Sequence, residues 1–430
     1  MAVAGLSATG KRWLLRDCDE ERRDALAQAL GVSPIVARVL LNRGVQTPEA
    51  ARRFLSPELS GLHEPALLPD IDEAVARIRQ AVTEGETILL YGDYDADGVT
   101  SLALLRLFFR MVGVEPEVYI PHRVDEGYGL HPDAVEAAAE RGVGLIVTVD
   151  CGVGAVEAVD RARDLGIDVV VTDHHEPGRR VPRACAVVNP KLTGCLYPFR
   201  DLAGVGVAFK LAWALAQSFS PGKRVSEEFR RFLLDAMGLV AIGTVADVVP
   251  LRGENRIFAT YGLHALRHST SPGVTALVRQ VGASGRPLRP RDVSFRLGPR
   301  LNAAGRLGAA DICVELLTSD DLSRAVEIAE QLEQTNRQRR TIQATILDEA
   351  LDALAALDDL DSRRTIVLAR EGWHAGVLGI VASRLAEDYH RPTLLLSLDD
   401  AVARGSARSV PGVNLFEAVE ACEGMLLGYG

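Results

Sequence analysis

The sequence predicts an α/β protein in which a doubly wound, mostly parallel sheet is joined by a long helix to a smaller α/β domain. Three observations support this prediction. Short apolar runs that are typical of buried strands alternate with helical patterns between residues 71 and 217. A long helical pattern then extends from residue 319 to about 357, and its middle is polar on every side, as in helices that bridge domains through solvent. A second, shorter alternation of strand and helix patterns follows it.

Strands of the larger domain are predicted at 87–91, 117–120, 145–149 and 168–172. Before this domain, Ser33-Pro34 and Thr47-Pro48 are typical of helix starts, and the proline-rich residues 56–69 indicate a linker. The last helical pattern has no strand after it, so we expect the smaller domain to be truncated. The predicted parts are an N-terminal helical region at 1–70, a larger α/β domain at 71–318, a connecting helix at 319–357 and a smaller α/β domain at 358–430.

Composition excludes several classes of protein. No stretch is long and apolar enough to span a bilayer, and the six cysteines are scattered without a Cys-x-x-Cys pair. A reducing, cytoplasmic location is therefore expected, without a disulfide framework. The net charge of −10 argues against general adhesion to nucleic acid but permits a local basic groove. No Walker loop is present, so we expect no nucleotide cofactor, and we interpret Gly204-Val205-Gly206 as close helix packing.

Acidic and histidine side chains follow three of the predicted strands. Each motif alone has an ordinary explanation, such as turn chemistry for Asp97-Gly98 or a helix cap for Asp150. Because ligands of open α/β sheets collect outside the C-terminal ends of the strands, these side chains are expected to meet. Their convergence favours a metal site over coincidence. The candidate residues are Asp93, Asp95, Asp97, Asp150, His174 and His175.

The donor set predicts Mn²⁺ or Mg²⁺, because it contains carboxylates and imidazoles but no thiolate, and histidine favours Mn²⁺. Asp247 stands in an otherwise apolar helical run. It is either a buried acid with hydrogen-bond partners or a further metal ligand. The acidic and histidine side chains at the strand ends favour its role as a ligand. Two ions bridged by Asp150 and flanked by Asp95 and Asp97 would lie about 4 Å apart. Such a pair could activate a water as the nucleophile of an in-line phosphoryl displacement.

The order and spacing of Asp95-Ala96-Asp97-Gly98, Asp150-Cys151-Gly152, Asp173-His174-His175 and Asp247 resemble the DHH phosphoesterase superfamily. Within it, the chain looks like the RecJ-type single-strand-specific 5′→3′ exonucleases. These matches together cover roughly residues 70 to 430. The segments that carry the narrower likeness are Pro121-His122-Arg123, Glu126-Gly127-Tyr128-Gly129, residues 298–306, Gly372-Trp373-His374-Ala375-Gly376-Val377 and Gly405-Ser406-Ala407-Arg408-Ser409.

The resemblance implies a metal-dependent enzyme that degrades single-stranded DNA 5′→3′ to mononucleotides in DNA repair and recombination. Its active site would lie in the cleft between the two domains. The ligands implied for one ion are Asp97, Asp150, His174 and Asp247, with Asp95 and Asp150 at a second ion and His175 as a further catalytic residue.

Tyr91 departs from one pattern within the superfamily. In relatives that cleave small substrates, a histidine four residues before the first aspartate completes the second metal site. Tyr91 stands at that position here. Either one ion binds, therefore, or Asp93 replaces the histidine.

Arginines in the matching segments are predicted to hold DNA phosphates, although each alone also fits a solvated surface residue. Arg123 and Arg408, with Ser406, are predicted to bind a terminal 5′ phosphate. The residues predicted to contact the DNA backbone are Arg300, Asn302 and Arg306. The candidates for stacking on unpaired bases are Tyr128, Trp373 and Phe199.

Two other functions stay open. One is a DHH phosphodiesterase that acts on short oligonucleotides or cyclic dinucleotides, which Tyr91 and the arginine-bearing segments disfavour. The other is a non-catalytic DNA-binding replication scaffold, which the intact acidic and histidine positions disfavour. By resemblance, the expected partners are single-stranded DNA with a 5′ end, a single-strand-binding protein and a RecQ-type helicase, with no membrane.

Overall fold

The larger domain is built on a five-stranded sheet in the order β4-β3-β5-β6-β7, and every neighbouring pair is parallel. The computed structural model describes residues 3–6, 12–14, 16–222, 224–399 and 402–428. The parallel sheet confirms the predicted α/β class. The strands of this sheet are β3 (Thr87–Gly92), β4 (Glu117–Tyr119), β5 (Val143–Val149), β6 (Asp168–Thr172) and β7 (Ala186–Val188).

Helices cover both faces of this sheet, so alternate side chains of each strand enter different cores. On β3, for example, Leu90 packs in one cluster and Leu89 in the other. The helices that accompany the strands are α4 (Ile71–Glu84), α5 (Ala96–Met111), α6 (Pro132–Glu140) and α7 (Val156–Asp164). The helices that follow are α8 (Gly204–Phe219), α9 (Glu227–Ala246), α10 (Gly253–His268), α11 (Pro272–Gln280), α12 (Pro290–Asp292), α13 (Gly298–Arg306) and α14 (Asp311–Leu317).

The N-terminal region contains the predicted helices and a strand pair that was not predicted. Ser33 and Thr47 each accept a hydrogen bond from a backbone amide of the following helix, as N-caps do. In the described part of the chain no single helix has the length and apolarity to span a membrane, and α1 with α2 pass that test only when joined across a 114° bend. The elements are β1 (Val3–Leu6) and β2 (Arg12–Leu14), which pair antiparallel, α1 (Glu20–Leu30), α2 (Pro34–Asn42) and α3 (Pro48–Leu55).

Residues 56–69, predicted to be a linker, are fastened to the larger domain by a buried ion pair. Lys210 Nζ lies 2.7 Å from Glu254 Oε1, and both side chains are excluded from solvent. The carboxylate accepts a hydrogen bond from His63 N–H at 2.9 Å, and the ammonium group donates to the carbonyl oxygen of His63 at 2.5 Å. Because removing either partner would leave a buried charge, this segment is a fixed part of the domain.

A single 34-residue helix, α15 (Leu322–Ala355), connects the two domains and is about 51 Å long at 1.5 Å per residue. Its N-cap is Asp321, close to the predicted start of the helix at residue 319, and its side chain accepts hydrogen bonds from the amides of Ser323 and Arg324. The expectation that its middle is surrounded by solvent is wrong. Asn336 is fully buried, and Glu333 forms an ion pair with Arg300 of α13. One side of this stretch packs against α13 through polar groups, so polar residues lie on the packed side as well as on the sides that face solvent.

The smaller domain has a three-stranded sheet in the order β10-β9-β8, with β8 parallel and β10 antiparallel to β9. The C-terminal half of α15 completes its core through Ile346, Ala350 and Leu354. Its elements are β8 (Ile366–Glu371), α16 (Ala375–Tyr389), β9 (Thr393–Asp399), β10 (Val402–Arg408) and α17 (Leu415–Glu420).

Gly262 allows α10 to approach α9 closely, since a Cβ at this position would overlap the carbonyl oxygen of Met237. We expect Gly262→Ala to force these helices apart and to lower the free energy of unfolding by about 2–3 kcal/mol. Urea denaturation measures this change. Gly178→Ala is the control, because no atom lies closer than 4.0 Å to its added Cβ. Equal stability of the two variants would contradict the prediction.

Candidate metal centre

Three strands of the larger sheet deliver acidic or histidine side chains to one edge. β3 leads into the segment that carries Asp93, Asp95 and Asp97, β5 into Asp150 and β6 into His174. β3 and β5 are neighbours although β4 follows β3 along the chain, so the winding of the chain reverses between them. A crevice for ligands forms at such a point, outside the C-terminal ends of the strands.

The imidazole of His174 lies at the centre of the cluster. Its Nε2 atom is 3.1 Å from Asp150 Oδ1, 3.7 Å from Asp247 Oδ2 and 3.9 Å from Asp97 Oδ2. Adjacent ligands of an octahedral ion with bonds of about 2.1 Å are about 3 Å apart. Each of the three carboxylates thus lies close enough to the imidazole to share an ion with it, and Asp97, His174 and Asp247 offer ligand atoms that are all within 4.8 Å of one another.

Several polar atoms of this cluster are buried and have no hydrogen-bond partner among the described residues: Asp93 Oδ1, Asp150 Oδ1 and both ring nitrogens of His174. Each such atom costs about 1–3 kcal/mol when it stays unpaired. A divalent cation would satisfy these atoms together. Carboxylate oxygens and imidazole nitrogens are ligands suited to Mn²⁺ and Mg²⁺, so the residues fit the predicted ion.

Burial changes the pKa values of these groups in opposite directions. Burial, together with the charges of neighbouring aspartates, raises the pKa of Asp97 and Asp150 well above the usual range. The same causes raise the pKa of Asp247 to about 6 and that of Asp93 to about 8. Burial lowers the pKa of His174 to about 4. The imidazole is thus neutral and able to bind a metal at neutral pH, whereas the carboxylates need a nearby cation to ionise together.

Asp97 is held in place by the first turn of α8. Its Oδ2 accepts a hydrogen bond from Gly204 N–H at 2.7 Å, and its Oδ1 accepts one from Val205 N–H at 2.8 Å. A helix N-terminus stabilises negative charge through these free amides. A Cβ on Gly204 would lie 2.5 Å from Asp150 Oδ1, so only glycine leaves room for that carboxylate. The interpretation of Gly204 as a helix-packing residue is therefore wrong, because it belongs to the site.

The turn from β3 into α5 is shaped by Asp95 and Gly98. Asp95 Oδ1 caps α5 by accepting hydrogen bonds from the amides of Asp97 at 2.9 Å and Gly98 at 3.1 Å. A Cβ on Gly98 would overlap the backbone carbonyl of Asp93. These contacts turn the chain tightly enough to aim three carboxylates at one edge.

Asp93, Asp95 and Asp150 form a second group whose oxygen atoms lie within 4.8 Å of one another. Asp150 also lies 3.1 Å from His174 Nε2, so it contacts both groups, as expected for a bridging ligand. Tyr91 points elsewhere: it is fully buried, donates a hydrogen bond to the carbonyl oxygen of Gly129 at 2.8 Å and stacks on another tyrosine. Of the two alternatives that Tyr91 leaves open, the geometry favours replacement of the histidine by Asp93.

Asp173 organises the residues behind the cluster rather than joining it. Its carboxylate accepts hydrogen bonds from the amides of Val153, His174 and His175, and it lies 2.7 Å from His175 Nδ1. The Tyr128 hydroxyl group reaches the same nitrogen at 2.9 Å and donates to the carbonyl oxygen of Asp150 at 3.0 Å. Burial lowers the pKa of His175, but the hydrogen bond and charge of Asp173 outweigh it and raise the pKa. Sequence reasoning assigned Asp173 no separate role.

The guanidinium groups of Arg123, Arg306, Arg339 and Arg408 lie near one another above the cluster, and none of them forms an ion pair with a described acidic side chain. Arg306 donates to the carbonyl oxygen of Gly376 at 3.0 Å, and burial, followed by the charges of Arg123, Arg339 and Arg408, lowers its pKa to about 10. The charge of Asp95 offsets only part of this repulsion, so the four cations form a site for an anion. Arg339 was not predicted. It lies in the polar middle of α15, where Asn336 and Gln343 hold its guanidinium group at 2.7 and 2.6 Å.

The smaller domain supplies Arg408 and Ser406, which were predicted as phosphate contacts. Arg408 Nη1 lies 3.3 Å from Ser406 Oγ, and Arg408 Nε donates to Ser383 Oγ at 3.1 Å. On the opposite wall of the cleft, the Arg123 guanidinium carbon is 4.7 Å from the ring centre of Tyr94. Two domains therefore contribute to one cationic surface.

Other predicted DNA contacts have different environments. Arg300 forms an ion pair with Glu333 at 2.5 Å and only 12% of its side chain is exposed, so it joins α13 to α15. Asn302 Oδ1 accepts a hydrogen bond from Ala96 N–H at 2.6 Å, at the start of α5. Trp373 is a core residue whose indole nitrogen donates to Glu349 at 2.7 Å, and its predicted role in base stacking is wrong.

Of the other stacking candidates, Phe199 packs against the core of the larger domain next to Gly253, which gives it a structural role. Tyr128 keeps 45% of its surface exposed at the site, so it is the candidate that remains for stacking.

Models of two families match the chain. The DHH family, N-terminal domain, matches residues 87–244, and the DHHA1 domain matches residues 363–430. The chain is 42% identical to the single-stranded-DNA-specific exonuclease RecJ of Bacillus subtilis, over 98% of this chain and 52% of that protein. It is 41% identical to the enzyme of the same name from Dickeya dadantii, over 92% of this chain and 70% of that protein.

Solved structures give the same assignment. RecJ from Thermus thermophilus in complex with Mn²⁺ superimposes with a TM-score of 0.81 at 33% identity, over 97% of this chain and 58% of that one. Its complex with Mg²⁺ gives a TM-score of 0.74 at 31% identity, over 97% and 55% of the two chains. The chain thus spans about half the length of some of these relatives and 70% of another. From the extent of these likenesses, the chain belongs to the RecJ family.

Proposed function

We propose that this chain is the catalytic core of a metal-dependent exonuclease that degrades single-stranded DNA from its 5′ end to mononucleotides, in cytoplasmic DNA repair and recombination. The observation that carries the proposal is the position of the cluster around His174 directly beneath the arginines that lack acidic partners. The proposed metal ligands and the proposed phosphate ligands would thus share one cleft. The names of the relatives, which are exonucleases specific for single-stranded DNA, support the choice of substrate.

The ligands proposed for one ion are Asp97, Asp150, His174 and Asp247. Asp93, Asp95 and Asp150 would hold a second, with Mn²⁺ favoured because of the histidine. When bound, such ions supply a nucleophile from water at neutral pH and stabilise the charge that develops on phosphate oxygens. Asp150 would orient both sites, since its Oδ1 lies 3.1 Å from His174 Nε2 and its carboxylate also groups with those of Asp93 and Asp95.

His175 is proposed to donate a proton or a hydrogen bond to the scissile phosphate or its leaving oxygen. The raised pKa favours the protonated ring, and Asp173 fixes its orientation through the 2.7 Å contact. Tyr128 limits rotation of the same ring and closes one side of the site. These residues would therefore position the phosphate without binding a metal.

The 5′ polarity is proposed to come from Arg123, Ser406 and Arg408. A terminal phosphate carries more negative charge than an internal one, and a cluster of guanidinium groups discriminates in its favour. Arg306 and Arg339 would hold the phosphates next to it. By the same likeness, a single-strand-binding protein and a RecQ-type helicase are proposed as partners that deliver the substrate.

Asp247→Asn should abolish most of the activity, because it removes a ligand charge while the amide keeps the shape. We expect a loss of about 10²–10³-fold in the rate of mononucleotide release from 5′-labelled single-stranded DNA with Mn²⁺. Asp235→Asn, which changes an exposed residue of the same helix, should behave as wild type. Immediate release of label from a 3′ end instead of a 5′ end would contradict the polarity.

Metal-dependent stabilisation should increase with pH. In the metal-free protein, buried carboxyls with raised pKa values stabilise the fold while protonated, and this contribution is lost as pH rises from about 4 through the raised values near 6 and 8. Bound Mn²⁺ would remove that loss. We expect the rise in melting temperature on exchanging EDTA for Mn²⁺ to be larger at pH 8 than at pH 5.5. A rise in melting temperature that is the same at both pH values would contradict the proposal that these carboxylates bind Mn²⁺.

Asp93→Asn should lower the number of bound Mn²⁺ ions from two to one, as counted by calorimetric titration. The remaining ion keeps its four ligands, so its affinity should change little. Glu126→Gln is a suitable control, because it changes a nearby carboxylate that is exposed and accepts a hydrogen bond from the Tyr119 hydroxyl group. A wild-type protein that binds one ion would show that Asp93 does not replace the histidine.

A further inference from the structure

A second basic surface lies outside the cleft, between α11 and α13. Arg286, Arg289, Arg291 and Arg296 surround Phe295 at a surface depression of about 610 Å³. We call these five residues the arginine patch. The chain as a whole carries a net charge of −10, so such a concentration of positive charge is a local feature. It contributes nothing to the metal cluster described above.

The positive charge of the arginine patch is only partly neutralised. Asp292 is the carboxylate that lines the depression, and it is held by Arg286 at 2.6 and 2.8 Å and by the amide of Arg289 at 3.0 Å. The hydrogen bonds from Arg286 lower the pKa of Asp292 to about 2. Arg289 and Arg291 are exposed and form no ion pair with any described residue, so their charges face solvent.

Phe295 is exposed over 67% of its surface in the middle of these arginines. It lies in a π-helical turn, Val293–Leu297, whose end residues are fully buried. The turn is therefore fixed on the core while Phe295 points outward. The guanidinium carbon of Arg291 is 5.8 Å from the centre of the phenyl ring. An exposed aromatic ring beside unpaired arginines matches the chemistry of unpaired bases with their phosphates.

The arginine patch is joined to the cleft by one continuous helical rod. The π-helical turn passes directly into α13, which ends at Arg306. Arg296 and Arg306 are ten residues apart, or about 15 Å along a helix. A Cβ on Gly298 would lie 3.1 Å from Ala246, the residue before Asp247, so the start of α13 also adjoins the metal cluster. A strand held in the cleft could reach the patch without leaving the surface of this domain.

We propose that the arginine patch is a second binding site for single-stranded nucleic acid, in which Phe295 stacks on a base and Arg289 and Arg291 bind the flanking phosphates. The site would hold the part of a strand that extends beyond the cleft, and in this respect it rests on the proposed function. Arg267 lines an adjoining depression that also contains Pro287, a residue beside the patch, so the basic surface continues past it. Unpaired bases are required because a duplex does not expose their faces to Phe295.

The test measures binding of a fluorescent oligothymidylate to this chain in EDTA, so that it does not depend on catalysis. Arg289→Gln with Arg291→Gln should flatten the slope of log affinity against log salt by about 1.4, since each single-strand phosphate contributes about 0.7. Phe295→Ala should weaken binding about ten-fold, and Phe295→Trp should retain it. The control is Arg230→Gln with Arg231→Gln, an equal loss of charge at the far end of α9.

A salt slope and affinity that are unchanged in the patch variants, or changed equally in the control, would overturn the proposal. Binding of an acidic peptide that is as tight as that of oligothymidylate and insensitive to Phe295→Ala would also overturn it. Hydrolysis with Mn²⁺ separates the two proposals. The patch variants should hydrolyse a short oligonucleotide like wild type and raise the KM for a long one. If no variant and no wild type hydrolyses DNA, the proposed function fails while the binding result still decides the patch.

Discussion

Mutual repulsion between buried carboxylates is the constraint on which the centre of the larger domain depends. Asp93, Asp97 and Asp150 are buried near a neutral imidazole, where water cannot screen them, and the partly exposed Asp247 adds a fourth carboxylate. Burial makes each negative charge unfavourable, and every neighbour adds to the cost. The two amides of α8 that bind Asp97 offset one part of this cost. The rest requires a cation, so the fold of this region and its metal chemistry have one electrostatic origin.

This constraint explains why the loops around the cluster have little freedom. The carboxylates converge only because β3 and β5 are adjacent, and Asp150 must adopt a left-handed backbone with φ of 58° to face the others. That conformation is uncommon outside glycine. Gly98 and Gly204 admit a backbone carbonyl and a carboxylate where a methyl group would collide. These local features cost stability, and the packing of the surrounding core compensates for that cost, as is common where a site needs a fixed geometry.

Sequence reasoning identified the cluster because strand ends in an open sheet are topologically constrained, and a carboxylate after each apolar run is visible without any structure. It did not identify groups whose roles depend on distant partners. Arg300 and Arg306 look alike in sequence, but Glu333 neutralises only the first. Trp373 and Tyr128 are both aromatic, and packing alone decides that one is buried. The amides of Gly204 and Val205 are backbone groups, so the sequence of side chains does not reveal their role. Strand β7 has three residues, which are too few to show a strand pattern.

The cleft joins the two domains through groups that repel each other. Arg123 and Arg306 come from the larger domain, Arg339 from α15 and Arg408 from the smaller domain. None of them forms an ion pair with a carboxylate among the described residues, although the charge of Asp95 acts on Arg306. Neutral hydrogen bonds, such as that of Arg306 with Gly376 and that of Arg404 with the carbonyl oxygen of Val124, hold the walls together across this repulsion. A phosphate placed between the four guanidinium groups would turn the repulsion into attraction. The same anion would meet the metal cluster beneath, so a single negative charge would be attracted both by the arginines of the two domains and by the ions.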